Sequence, residues 1–259
     1  FYNERYNDGI WYTARIYQFR RSVKKAVAAS TTVFVLNDAL NQEYSKTFPQ
    51  RIVTLFNPSP AIEPANKAED ADEIVMCYGG SVGQDRIEVI EAIGVAIQKF
   101  SEKTGKKSIL NIFSGESDPV LVKRMTDCKG LCLRGRISEQ ELMNELVQSK
   151  VLVHVESFEE KYIEKTKRAL STKIPEYLAT GNLILCVGPK GIESVEYLRR
   201  NNAALIVDDP ADLPTAINRI AKESFAQERQ NAINLSRKNH NRRTNCQLLY
   251  SVLNEAIDT

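Results

Sequence analysis

Apolar residues recur along the chain in short runs that are separated by longer stretches with helical spacing. The runs are free of regular polar alternation, which is typical of strands buried on both faces. Helical stretches of about ten to fifteen residues between such strands are the pattern of parallel sheets. From residue 73 onwards the apolar runs are residues 73–78, Ser108–Phe113, Leu131–Leu133, Val151–Val155, Leu183–Val187 and residues 203–207. We therefore predict an α/β fold with a doubly wound parallel sheet.

The part of the chain before residue 57 shows a smaller version of the same alternation. Residues 10–29 have helical spacing, residues 31–36 are apolar and β-branched, and residues 51–56 form a second apolar run. Asn37 or Asp38 can cap a helix between the two runs, because Asn and Asp accept hydrogen bonds from first-turn amides. The next stretch, up to residue 70, contains three of the nine prolines and no apolar period, which indicates a linker.

Towards the carboxyl terminus the pattern predicts further helices. Residues 138–148 begin with a Ser-x-x-Glu capping box, residues 173–180 end at a glycine, and two amphipathic helices follow the last strand. The charged stretch between Glu156 and Lys173 is predicted to be a loop.

Composition excludes several classes of protein. The 259 residues are 42% hydrophobic and 26% charged, as in a globular protein. A net charge of +2, from 35 basic and 33 acidic residues, predicts no nucleic-acid partner. Five cysteines without C-x-x-C spacing and only two histidines favour a reduced, cytoplasmic protein without a zinc site. No apolar run approaches a membrane span, and the start at Phe1 without Met suggests part of a longer protein.

The segment STKIPEYLATG carries the most specific chemistry. Ser171 or Thr172 can cap a helix whose amide end would point at the carboxyl edge of the sheet, where a diphosphate can bind. Pro175 is tolerated near the first turn, and Gly181 can supply a left-handed cap. Glu176 is placed one turn into the helix, where its carboxylate can accept the two hydroxyls of a ribose.

This segment and the following strand NLILCVGP resemble the donor-binding domain of retaining glycosyltransferases with two facing Rossmann-like domains. This is the GT-B architecture, and the resemblance is to the family 4, group 1 type, particularly bacterial enzymes of surface-polysaccharide assembly. The motifs Y-G-G-S, L-R-G-R-I-S and V-L-V-H-V-E-S follow in the family's order. The resemblance implies four parts: residues 1–57 as the trailing portion of an acceptor domain, 58–70 as a linker, 71–240 as the donor domain, and 241–259 as a helix that packs back toward the first part.

The resemblance also implies a donor-binding set. Glu176 matches the second Glu of the family's E-x7-E motif and would bind the ribose. A glycine-rich turn would approach the donor closely, the base would contact backbone, and a basic pair would neutralise the leaving diphosphate. The residues implied are Gly80, Ser81, Arg86, Arg136, Ile137, Ser171, Thr172, Lys173 and Glu176.

The catalytic assignment stays open at the sequence level. Arg168 stands where relatives have the first Glu of the motif, and it or Lys167 could instead face phosphate. His154 lies in an apolar strand, where a hydrogen-bonded core histidine is the alternative to a base. The carboxylates of the same loop are substitutes between which spacing does not choose, so the candidates are Glu156, Glu159, Glu160, Glu164 and His154.

By this resemblance the protein transfers a sugar from a nucleotide-diphosphate sugar to a glycan or lipid-linked glycan with retention. It would need no cofactor or metal, since the crevice loops lack a D-x-D cluster, and this part of the protein alone would be inactive. The alternatives are a sugar-nucleotide epimerase of similar architecture and a non-catalytic nucleotide-sugar binding protein. The basic runs at residues 15–25 and 237–243 are either solvated faces or contacts with anionic phospholipid at the inner face of the membrane.

Overall fold

The computed structural model describes residues 9–62 and 73–257. The first of these ranges contains helix α1 (Gly9–Ala28), strand β1 (Thr32–Val35), helix α2 (Asp38–Thr47) and strand β2 (Arg51–Thr54). The strands β1 and β2 pair in parallel, with Thr32 opposite Arg51. The Asn37 side chain accepts a hydrogen bond from the Leu40 amide at 2.9 Å and so caps α2, which confirms one of the two expected caps.

The second range forms one six-stranded sheet with helices between its strands. Its elements up to the sixth strand are β3 (Ile74–Gly79), α3 (Arg86–Thr104), β4 (Ser108–Phe113), α4 (Pro119–Asp127), β5 (Leu131–Leu133), α5 (Glu139–Gln148), β6 (Val151–Val155), α6 (Glu160–Thr166), α7 (Lys173–Thr180), β7 (Leu183–Val187), α8 (Glu193–Arg200) and β8 (Leu205–Val207). Three helices follow, namely α9 (Leu213–Lys222), α10 (Ala226–Asn239) and α11 (Arg242–Ile257).

All neighbouring strands of this sheet are parallel, and their order is β5-β4-β3-β6-β7-β8. From β3 the chain first builds toward one edge and then crosses to build toward the other. The boundary between β3 and β6 is therefore a topological switch point, where loops leave in opposite directions and a crevice opens at the carboxyl ends of the strands.

Helices cover both faces of the sheet, each with its own apolar core. On one face α3 and α9 bury residues such as Ile90, Ile93 and Ile217. On the other face α7, α8 and α10 bury residues such as Tyr177, Val195 and Leu235. This arrangement confirms the predicted doubly wound α/β fold, and the exclusion of water from both faces explains why the strands are apolar throughout.

The last helix lies against the β1–α2–β2 unit. The Arg51 guanidinium and the Glu255 carboxylate are 2.5 Å apart, and the Asn245 side chain donates a hydrogen bond to the Phe56 carbonyl at 2.8 Å. These contacts are of the kind expected of a helix that packs back toward the first part. The four-part division of the chain stays a prediction, and most of its 58–70 linker lies outside the described residues.

Two predictions about elements were wrong. The charged stretch after β6 is not a loop throughout, because it contains α6, whose apolar residue Ile163 packs against the core. Three α-helices, rather than two, follow β8 in the described part of the chain. A short charged helix with few apolar residues has little periodicity, so the sequence pattern conceals it.

Candidate functional site

A cavity of about 490 Å³ lies at the carboxyl edge of the sheet, on the face covered by α5 and α7. Its walls come from the turn after β3, the loop after β4, the loop before α5, α5 itself and the first half of α7. The lining residues are Gly79, Gly80, Ser81, Phe113, Ser114, Gly115, Glu116, Arg136, Ile137, Leu142, Leu146, Lys173, Glu176 and Tyr177. Its volume is that of a pocket for a small molecule or nucleotide.

The turn after β3 brings backbone close to the Lys173 side chain. Gly80 has φ of +143°, a conformation that other residues rarely adopt. A Cβ atom at this position would lie 1.9 Å from the Lys173 Nζ. The turn is held by two tyrosines: the Gly79 amide donates to the Tyr177 Oη at 3.3 Å, and the Tyr78 hydroxyl donates to the Ser81 carbonyl at 2.5 Å. Glycine at position 80 therefore leaves room for the ammonium group.

Lys173 is a half-buried cation without an acidic partner among the described residues. Its ammonium group lies 5.1 Å from the centre of the Tyr78 ring, and no described carboxylate lies within ion-pair distance. Burial lowers the pKa of Lys173, and the positive charge of Arg86 lowers it further, while Glu156 and Glu176 oppose the shift. Two cations held near one another in a partly desolvated cleft attract an anion, because a bound anion relieves both the burial cost and the repulsion.

Glu176 lies in the first turn of α7 and lines the same cavity. Burial raises the pKa of its carboxyl, the charge of Glu139 raises it further, and the charge of Lys173 lowers it. Glu176 therefore belongs to the lining of the cavity and not to the apolar core, and its expected contact with a ribose stays a prediction. Gly181 has φ of +69° and caps the other end of α7, which confirms its expected role.

A second cluster lies across the switch point, at the carboxyl end of β6. Glu156 is 3% exposed, its Oε1 lies 3.1 Å from the Nε2 of His154, and its Oε2 lies 3.6 Å from the Arg86 guanidinium. Burial alone would raise the pKa of Glu156, but the hydrogen bond with His154 and the charges of His154 and Arg86 outweigh it and lower the pKa. Glu156 is therefore an anion that holds Arg86 beside the crevice.

Some of the predicted donor-binding residues line the cavity and others do not. Those that line the cavity are Gly80, Ser81, Arg136, Ile137, Lys173 and Glu176. Arg86 begins α3 next to Glu156, and its charge reaches Lys173. Ser171 and Thr172 are not among the lining residues.

Of the two residues expected to cap α7, Thr172 does not do so. Thr172 has helical backbone angles and makes no side-chain cap hydrogen bond. The Ser171 Oγ instead accepts the Lys173 amide at 3.5 Å, and the Ser171 amide donates to the Ser194 hydroxyl at 3.0 Å. Ser171 thus joins the start of α7 to α8.

The remaining loop residues lie in three different surroundings. Glu159 and Glu160 are exposed at the start of α6 and are absent from the lining of the cavity. Arg168 pairs with Glu43 on α2, and its carbonyl accepts a hydrogen bond from the Asn37 side chain at 2.9 Å. Arg168 therefore faces the β1–α2–β2 unit. Lys167, which follows α6, pairs with Glu164 on that helix at 3.4 Å.

Sequence reasoning missed the tyrosines and apolar residues that shape the cavity. Tyr78 and Tyr177 support the turn after β3, while Phe113, Leu142 and Leu146 form an apolar wall of the cavity. The signal that could have found them is their place next to the flagged glycine turn and helix start. Their apolar character is equally typical of core residues, because periodicity does not separate core from pocket wall.

The described residues contain no group of three or more His, Cys, Asp and Glu side chains that could hold a metal ion. No helix within them is long and apolar enough to cross a membrane.

No protein-family model matches the chain, and no curated protein matches it in sequence. Solved structures do match it in fold. WaaG, a glycosyltransferase involved in lipopolysaccharide biosynthesis, superposes with a TM-score of 0.59 at 11% identity, over 90% of this chain and 66% of WaaG. S. aureus TarM, in a complex with UDP, superposes with a TM-score of 0.64 at 15% identity, over 90% of this chain and 46% of TarM. The chain has the GT-B glycosyltransferase fold.

A third GT-B structure matches equally well. The pneumococcal O-GlcNAc transferase GtfA, solved with UDP and GlcNAc, superposes with a TM-score of 0.64 at 14% identity, over 94% of this chain and 47% of GtfA. The chain thus spans between about half and two thirds of the length of these GT-B proteins.

Proposed function

We propose that this chain is the donor-binding part of a glycosyltransferase that transfers a sugar from a nucleoside-diphosphate sugar. The observation that carries the proposal is the half-buried Lys173 beneath the Gly79–Gly80 turn, which pairs with no described carboxylate and has Arg86 and Glu176 near it. A diphosphate would place negative charge next to Lys173 and Arg86, and the GT-B neighbours TarM and GtfA are solved with UDP. The geometry supports binding of a diphosphate more directly than it supports any particular sugar.

Each part of the cavity suits one part of a nucleoside-diphosphate sugar. Lys173 and Arg86 can stabilise the diphosphate, and the amide end of α7 adds a positive dipole. Glu176 can accept hydrogen bonds from the two ribose hydroxyls. The loop that carries Arg136 and Ile137 can hold the base through its backbone.

The reaction that follows from this arrangement is displacement of the nucleoside diphosphate. As the glycosidic bond breaks, negative charge accumulates on the leaving diphosphate, and cations that are already in place stabilise it. Glu156 holds one of these cations, Arg86, and its low pKa keeps it ionised at neutral pH, so it is a positioning residue rather than a proton donor. We extend the proposal to a retaining, hexosyl-type transfer that needs no metal ion.

The acceptor is proposed to be a glycan or a lipid-linked glycan of bacterial surface-polysaccharide synthesis. The support is the lipopolysaccharide role stated for WaaG and the α-GlcNAc-glycerol bound to TarM. Since these proteins extend well beyond the matched region, the acceptor would contact residues outside this chain. We expect this chain by itself to bind donor without transferring the sugar.

Calorimetric titration with UDP, GDP and ADP tests the proposal. Each hydrogen bond to a charged group contributes about 1.5 to 3 kcal/mol, so Glu176→Ala and Lys173→Ala should each weaken binding of the preferred nucleotide about tenfold or more. Matched controls are Glu102→Ala and Lys222→Ala, which remove exposed charges on α3 and α9. Unchanged nucleotide affinity in both cavity variants would refute the assignment.

A non-catalytic nucleotide-sugar binding protein is the second candidate. The observation that favours it is the ion pair of Arg168 with Glu43, since no carboxylate stands at the first Glu of the motif. Product analysis with the longer protein separates the candidates. Transfer to acceptor supports the transferase, turnover of donor alone indicates an epimerase, and binding without turnover indicates a binding protein.

A further inference from the structure

We call the cavity lined by Lys173 and Glu176 the donor cleft. A second cavity, of about 650 Å³, lies outside it at the corner between α10 and α11. The two cavities border the same helix, since Lys173 and Glu176 in the first turn of α7 line the donor cleft and Ala179 near its end lines the second cavity. The other lining residues are Ser59, Pro60, Ala61, Ile62, Ile233, Ser236, Arg237, Asn241, Arg242, Arg243 and Cys246. We call this space the arginine cavity.

Three arginines line the arginine cavity, and none of its lining residues in the described part of the chain is acidic. Arg237 comes from the last turn of α10, and Arg242 and Arg243 from the first turn of α11. None of the three forms an ion pair with a described carboxylate. Some other arginines of the described chain do form ion pairs: Arg200 pairs with Glu193 at 2.5 Å and Arg219 with Glu223 at 2.8 Å.

The rest of the lining supplies apolar surface and few free polar groups. Pro60, Ala61, Ile62 and Ile233 are apolar, while the serine hydroxyls are already used, because Ser236 donates to Ser59 at 3.1 Å. A space with concentrated positive charge on one side and apolar surface on the other suits an anion that carries an apolar portion. Guanidinium groups bind phosphate oxygens in a fork geometry, so phosphate is the anion that these residues favour.

We propose that the arginine cavity binds a phosphate group, of the kind presented by an anionic phospholipid headgroup or by a soluble phosphate ester. The site is separate from the donor cleft, and its use does not depend on the proposed transferase activity. A lipid headgroup would bring the α10–α11 corner to the membrane surface, whereas a soluble phosphate would occupy the cavity without vesicles.

Two binding assays on the whole chain test this proposal and separate the sources of phosphate. The first measures sedimentation with phosphatidylglycerol vesicles and with phosphatidylcholine vesicles, and the second measures thermal stabilisation by inorganic phosphate and glycerol phosphate. The test variant combines Arg237→Gln, Arg242→Gln and Arg243→Gln. Since basic residues near an anionic surface contribute about 1 kcal/mol each, it should bind phosphatidylglycerol vesicles about a hundredfold more weakly.

The matched control neutralises three exposed lysines outside the cavity, by Lys99→Gln, Lys103→Gln and Lys222→Gln. Loss of binding in the test variant alone supports the site. Loss of vesicle sedimentation identifies a lipid headgroup as the ligand, and loss of thermal stabilisation identifies a soluble phosphate. Equal loss in both variants, or no loss in either assay, overturns it. UDP affinity is measured on the same samples, so failure here is distinguishable from failure of the proposed function.

Discussion

At the scale of single residues, the proposed donor cleft depends on one glycine. Gly80 combines a left-handed φ with a space that the Lys173 ammonium fills. Any side chain at position 80 must displace that ammonium, strain the turn, or both. The absence of a Cβ atom at Gly80 therefore sets the position of the Lys173 ammonium.

Gly80→Ala should reduce nucleotide affinity at least about tenfold, because the added Cβ atom pushes the Lys173 ammonium out of the cavity. The measurement is calorimetric titration with UDP. Gly83→Ala is the control, since an added Cβ atom there meets only the Ser81 Oγ at 3.4 Å and Gly83 lacks a left-handed φ. Equal affinity in the Gly80 and Gly83 variants would contradict this account.

At the scale of elements, the close approach of α3 to the chain before β5 depends on a pair of glycines. An added Cβ atom on Gly130 would lie 2.0 Å from the Gly94 carbonyl oxygen, and one on Gly94 would lie 2.6 Å from the Cys128 Sγ. The first contact is with backbone, which cannot rotate away. The helix therefore packs at this distance only because both positions lack side chains.

Gly130→Ala should destabilise the protein by about 1 to 3 kcal/mol or more, because α3 must shift away from the sheet. Urea unfolding followed by circular dichroism measures the loss. Gly83→Ala again provides the comparison, with its looser contact. A Gly130 variant as stable as the unchanged protein would show that α3 can move without cost.

The capping box of α5 offers a second test at this scale. Ser138 accepts the Glu141 amide at 3.3 Å, and the Glu141 carboxylate accepts the Ser138 amide at 2.9 Å. Ser138→Ala removes the first bond and also the one that the Ser138 hydroxyl donates to the Glu141 carboxylate at 2.7 Å, and should cost about 1 kcal/mol of unfolding free energy. Chemical denaturation measures it, and Ser117→Ala, an exposed serine before α4, should change stability much less.

At the scale of the whole molecule, a buried histidine joins the segment after β2 to the C-terminal helices. His240 is fully buried, its Nδ1 lies 2.7 Å from the Asn57 carbonyl oxygen, and its Nε2 lies 2.9 Å from the Tyr197 hydroxyl. That hydroxyl also accepts the Asn239 side chain at 2.9 Å, so it donates to Nε2. These partners suit a neutral imidazole that donates from Nδ1 and accepts at Nε2.

Stability should therefore fall under mildly acidic conditions. Burial lowers the pKa of His240 from 6.5, and the hydrogen bond to Asn57 only partly opposes the shift. The unfolded chain then binds the proton more readily, so this contribution is present above about pH 6.5 and is lost as the pH falls toward the folded pKa. Thermal unfolding between pH 8 and pH 5 measures the loss.

The control for this prediction is His240→Gln, which removes the titrating group. Its stability at pH 8 should be lower, and its midpoint should fall less between pH 8 and pH 5 than that of the unchanged protein. If the two proteins lose stability in parallel, the acid sensitivity belongs to other groups.

The local sequence determined most elements of this fold, because their causes are local. Strands such as Ser108–Phe113 and Val151–Val155 are apolar throughout, and the ends of α5 and α7 carry their capping residues in adjacent positions. Helix α6 escaped prediction because its charged sequence has no period and is held by contacts of Ile163 with distant residues. The place of Lys173 and Glu176 in the first turn of α7 was predictable because a helix start is set by adjacent residues.

Only the tertiary structure decided which of these residues meet. Arg86 and Glu156 are seventy positions apart and lie together because β3 and β6 are neighbours at the switch point. The packing of elements also brings Arg168 next to Glu43. It likewise places three arginines in the lining of one cavity at the α10–α11 corner. Periodicity and capping act within a few residues of the chain, whereas charge pairing and cavities arise from the order in which strands and helices pack.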